Sequence, residues 1–125
     1  LIFISLFFSF AMAQDCEIPF PLKTKSGLQA ACLTYEKSYT IGHIVFYTFP
    51  RARTESDKWP YEFQYFQDNK STRNRLCRLF GAKKESPRSQ ISDPAKEAIV
   101  YDENGFHVEP ASKSLKVLAC SLIDY

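Results

Sequence analysis

Several features that would settle a function class are missing from this sequence. No apolar run reaches the ~20 residues that a membrane-spanning helix needs, and the almost unbroken apolar opening, residues 1–10, is too short to be an anchor. No CxxC pair and no Cys/His cluster with zinc spacing occurs, which argues against a metal site, and no cofactor is expected. Charge of one sign is not in excess. The 16 Lys+Arg against 14 Asp+Glu leave a formal net charge of +2, too little to argue for nucleic acid by itself. Nothing in the composition suggests repeats or disorder.

What is present starts with the leader. Its apolar run is followed by Ala11-Met12-Ala13, the small-x-small pattern that signal peptidase needs. Residues 1–13 therefore read as a signal peptide lacking its initiator Met and basic segment, and residues 14–125 as one domain with a single core. A secreted chain with four cysteines, Cys16, Cys32, Cys77 and Cys120, is expected to pair them. Four cysteines allow three connectivities, and the sequence does not choose among them. A Cys16–Cys120 bridge would close nearly the whole domain into one loop, worth roughly 4–5 kcal/mol in the chain-entropy model. Cys32 and Cys77 would then form a second bridge or remain buried thiols. Abundant aromatics, 11 Phe and 7 Tyr, favour pleated strands.

Along the chain, Ser26 reads as an N-cap, with Leu28, Ala31, Cys32 and Tyr35 at helical spacing, so a helix of about three turns is expected before Gly42. Strands follow: residues 44–49, ended by Pro50, then 61–67, where Tyr61, Phe63 and Tyr65 alternate as a core face against Glu62, Gln64 and Phe66. Residues 98–101 and 106–109 flank the hairpin turn Asp102-Glu103-Asn104-Gly105, and 115–118 make a last strand. A long polar segment, roughly 68–96, has no clear structure and carries Lys70, Arg73, Arg75, Arg78, Lys83, Lys84 and Arg88. Asn69-Lys70-Ser71 is a weak glycosylation sequon.

Four short motifs in shared order resemble the small fungal guanyl-specific ribonucleases. Leu28-Gln29-Ala30-Ala31 is similar to that family's helix, Phe49-Pro50-Arg51 to its Tyr-Pro-His element, and Tyr61-Glu62-Phe63 to its Tyr-Glu-aromatic strand. Glu97-Ala98-Ile99-Val100-Tyr101 looks like its Asp-Arg-Val strand, and the chain then runs without a gap from Gly105 to Cys120. The resemblance implies an α+β fold, one helix packed on a curved antiparallel sheet, with Cys16 bonded to Cys120. It also implies a site for transesterification from the RNA 2′-hydroxyl, with a base, an acid and cations for the phosphorane-like charge. Of those residues only the base survives, as Glu62. Arg51 stands for the first His, Ala98 for the Arg and Glu109 for the acidic His.

A ribonuclease-like fold without its constellation resembles the secreted effectors of powdery-mildew fungi, although Gln14 stands where that group has an aromatic two residues before its first cysteine. The resemblance implies a monomeric, non-catalytic protein, secreted and translocated into host cells. It would bind host RNA or host protein to suppress immunity, and plant immune receptors would detect it. Arg73, Arg75, Arg78, Lys83 and Lys84 are the candidate phosphate contacts. The alternative is an active guanyl-preferring endoribonuclease using Glu62 with His107 and Arg51. For each residue a bland reading stands beside the functional one: a solvent-facing carboxylate for Glu62, a solvated basic loop, and solvated histidines for His107 and His43.

Overall fold

The computed structural model describes residues 16–25, 27–54, 62–86 and 91–124, the side chains of Glu62, Phe63, Ile91 and Ser92 excepted. The expected leader, the Ser26 cap, Tyr61 and Arg88 lie outside these residues. Among the described residues the fold is small and α+β: mostly sheet, with one short helix and two disulfides. No helix among the described residues is long and apolar enough to cross a membrane.

Alternation of burial defines the first strands. In β1, Pro19–Thr24, Phe20 and Leu22 are buried while Pro19, Pro21 and Lys23 are exposed, the period of two expected of a sheet with one dry face. Next comes β2, Gly27–Thr34, paired antiparallel with β1 from Pro19↔Cys32 to Thr24↔Gly27. This strand replaces the helix expected from residue 26. Its apolar positions satisfy a helical spacing, but Ala31 and Leu33 also alternate, and both are buried on the core side. Pairing with β1 on one edge and with β5, Arg51–Thr54, on the other outweighs the few tenths of a kcal/mol per residue that helix propensity supplies.

Between β2 and β5 lies a hairpin of β3, Lys37–Ile41, and β4, Ile44–Thr48. Phe49 then turns the chain with φ 49, a left-handed conformation rare for an aromatic residue, and its amide donates to the Lys116 carbonyl at 2.7 Å. β6, Glu62–Tyr65, pairs with β5. Here the expected core face is inverted at its described end: Phe66 is fully buried, whereas Tyr65 is 38% exposed. Register explains it. Tyr65 lies opposite Arg51, on the face away from buried Ala52, and a one-residue shift exchanges the two faces of a strand.

The segment expected to be an unstructured polar loop holds the helix α1, Lys70–Leu79. Asn69 is its N-cap: the Thr72 amide donates to Asn69 Oδ1 at 2.9 Å. The helix ends in a Schellman arrangement, with the Gly81 amide on the Arg78 carbonyl and the Ala82 amide on the Cys77 carbonyl. Gly81 has φ 91, which a residue with a Cβ adopts only under strain. Thr72, Leu76 and Cys77 form the buried stripe. After it come β7, Lys84–Glu85, β8, Ile91–Pro94, β9, Glu97–Asp102, β10, Gly105–Pro110, and β11, Lys113–Ser121.

Two sheets result. The first has the order β6-β5-β2-β1-β10-β9, antiparallel except for the parallel β1–β10 pair, so the expectation of a purely antiparallel sheet is corrected. A bridge between Phe66 and Ile99 links its two end strands, with the Gln67 amide donating to the Ile99 carbonyl at 2.8 Å, and the six strands close into a ring. Phe20, Phe66 and Phe106 pack together in the core and half-buried Tyr101 packs against them, with Phe20–Phe106 and Tyr101–Phe106 centroids both 4.8 Å apart. In the second sheet, β3-β4-β11-β7, the long β11 also pairs with β8. Tyr47 stacks on Phe80 at 3.9 Å, and Tyr35 meets both rings edge-on.

The bridges are Cys16–Cys32 and Cys77–Cys120, which corrects the expected Cys16–Cys120 and Cys32–Cys77 pairings. The cause is the strand at β2. It carries Cys32 opposite Pro19 and so beside Cys16, while α1 lays Cys77 across β11 next to Cys120, leaving Cα separations of 5.6 and 5.4 Å.

Candidate functional site

The ring determines what the expected catalytic residues can do together. Arg51 lies on β5, opposite Thr34 of β2 and Tyr65 of β6. Ala98 and Glu109 are direct cross-strand partners on β9 and β10, and His107 faces Val100 in the same hairpin. In the ring β5 and β10 are three strands apart in either direction. Arg51 alternates with buried Ala52, and His107 and Glu109 alternate with buried Phe106, so each set faces outward on its own side. They do not converge. The backbone of Glu62 sits opposite Thr54, at the other end of β5 from Arg51.

A cleft of about 280 Å³ does open between Phe49, Tyr65, Pro94 and Leu115. Its charged described residues are Asp93 and Glu97, and Arg51, His107 and Glu109 do not line it. Two carboxylates at such a mouth repel a phosphate.

The basic candidates are divided. Arg73 turns inward: its guanidinium holds Asp68, and also Glu85 at 3.2 Å, while the Glu85 amide donates to Asn74 Oδ1. This polar clamp between α1 and β7 makes Arg73 a structural residue, and its sequence signal was the isolated acid, Glu85, after a run of bases. Arg75 sits over the Tyr101 ring at 5.3 Å, a cation–π contact. Arg78 and Lys83 are exposed and Lys84 is half-buried. The sequon residue Asn69 is the helix cap.

His107 is the centre of a cluster that the sequence shows only in part. Its spacing from Glu109 places both on one face, and Nε2 lies 2.9 Å from Glu109 Oε1. The third member is Asp102, whose Oδ2 lies 3.5 Å from the same nitrogen. Asp102 pairs with Gly105 across a two-residue turn, and its Oδ1 accepts from the Asn104 amide at 2.8 Å. On the other side of the ring, His107 Nδ1 donates to the Gly105 carbonyl at 3.1 Å. The hydrogen bond to Glu109 raises the His107 pKa, burial opposes it, and the Gly105 carbonyl and the charges of Asp102 and Glu109 add to the rise.

A second surface has no counterpart in the sequence reading. β3 is the end strand of its sheet and every residue in it is exposed. Tyr39 is 49% and Ile41 64% exposed, on the same face as Phe46 and Ile44 of β4. Exposed Leu122 and Ile123 follow β11 close by, the Leu122 amide donating to the carbonyl of exposed His43 in the hairpin turn. The alternation of residues 39–46 carried this signal, but the expected helix masked it. Against known proteins, no family model, no curated protein and no solved structure matches this chain.

Proposed function

We propose that this chain is a secreted, non-catalytic effector of the ribonuclease-like kind, and that it engages a host protein through the β3–β4 hairpin. The observation that carries the non-catalytic reading is the placement of Arg51 and of His107 with Glu109 on opposed strands of the ring, facing away from each other. One phosphate cannot reach both, and general acid–base catalysis requires hydrogen-bond reach of a common substrate. Two disulfides fit an oxidising compartment. A protein partner is favoured over RNA because Arg73 is consumed in ion pairs, while β3, the end strand of its sheet among the described residues, presents Tyr39 and Ile41, a template for strand addition.

Purified protein incubated with total RNA is expected to leave it intact. Cleavage that disappears in Glu62→Gln would overturn the non-catalytic reading. In leaf tissue expressing the protein, Tyr39→Ser with Ile41→Ser is expected to abolish suppression of an immune oxidative burst, and Arg75→Ala with Arg78→Ala to preserve it. The reverse pattern, with salt-sensitive RNA binding lost in the arginine variant, would establish the RNA reading instead.

A further inference from the structure

Three potential ligands meet on the outer face of the β9–β10 hairpin: one donor atom from each of Asp102, His107 and Glu109, all within 4.8 Å of one another. The imidazole is held in one orientation from outside the cluster. A carbonyl only accepts, so the hydrogen on Nδ1 is committed to Gly105, and in the neutral ring the Nε2 lone pair points at two carboxylates. In the imidazolium form a proton on Nε2 satisfies both carboxylates, and in the neutral form a metal ion can take the place of that proton. A histidine that donates one ring nitrogen to a backbone carbonyl and offers the other outward is the usual support for a metal ligand.

We propose that Asp102, His107 and Glu109 form a binding site for a divalent transition-metal ion, Zn²⁺ in particular. The spacing fits. Two donors that each stand about 2.1 Å from an ion lie about 3.0 Å apart at a right angle and about 3.4 Å apart at a tetrahedral angle. The nitrogen-to-oxygen distances here are 2.9 and 3.5 Å. One imidazole with two carboxylates suits Zn²⁺ better than Mg²⁺ or Ca²⁺, which prefer oxygen alone. Three protein ligands leave coordination positions open to water or to a donor from a partner. Lys23 is the register partner of His107 on β1, but it is exposed, and its flexible stem lets the ammonium withdraw into solvent. The site is independent of the β3–β4 surface, so either assignment can fail without the other.

Calorimetric titration of the whole oxidised chain with zinc chloride near neutral pH is expected to give one ion per chain. His107→Gln and Glu109→Gln should each weaken binding about tenfold or more, while Glu103→Gln, an exposed carboxylate in the same turn, leaves it unchanged. Far-UV circular dichroism establishes that each variant is folded. In the unmutated protein the imidazole nitrogen resonances of His107, and not those of His43, should shift on adding Zn²⁺. Absence of binding, wild-type affinity in either Gln variant, or shifts at His43 alone would overturn the assignment.

Discussion

Arg73 shows how one side chain can be misread by its charge alone. It is placed between two acids, Asp68 and Glu85, and Glu85 is buried. Removing the guanidinium leaves the Glu85 carboxylate without its ion-pair partner, so Arg73→Ala is expected to destabilise the fold by about 2–4 kcal/mol, whereas Arg78→Ala stays within about 0.5 kcal/mol. Urea unfolding midpoints test the contrast. Tyr47 supplies a pH prediction. Burial, then the neighbouring Tyr35, raises its pKa, so the folded state holds the phenolic proton more tightly than the unfolded chain does. The stability tied to that proton is complete below the usual tyrosine pKa of about 10 and is lost as pH rises through the raised value. Tyr47→Phe should therefore lose less stability than wild type between pH about 9 and about 11, measured in the same urea titration.

At the scale of elements, α1 and β2 are where local sequence and final structure part. The α1 stripe of Thr72, Leu76 and Cys77 is only three residues set among arginines, too faint for periodicity to reveal. Its caps carry the missing information, and Asn69→Ala is expected to cost about 1 kcal/mol, seen as a lower melting temperature. Apolar spacing in β2 fits both a helix and a strand, and only pairing with β1 and β5, remote from the segment's own composition, decides it. The hairpin β9–β10 was legible because Val100, Tyr101 and Phe106 flank the turn Asp102-Glu103-Asn104-Gly105, in which Gly105 takes the positive φ of 85. The same turn fixes half of the His107 cluster: Glu109 follows from alternation, whereas Asp102 joins only once the strands are paired.

At the scale of the molecule, non-local order was not legible at all. That Arg51 and Glu109 stand on opposed strands follows from the sequence of strands around the ring, which no window of residues encodes. The bridges belong to this scale too. Cys77–Cys120 spans 43 residues and Cys16–Cys32 spans 16, so the chain-entropy model credits them with about 4 and about 3 kcal/mol. Replacing Cys77 and Cys120 with serine should lower the unfolding midpoint more than replacing Cys16 and Cys32, and mass spectrometry of a non-reduced digest should recover these two pairings. The Phe66–Ile99 bridge has a mechanical meaning as well. A belt fastened by one buckle fails there first, because the other strand joints are multi-residue ladders while this one rests on the Gln67 amide and the packing of Phe66. Native-state hydrogen exchange should show Gln67 trading its proton before the ladder amides of β1 and β2, through a partial opening that leaves both disulfides and α1 in place.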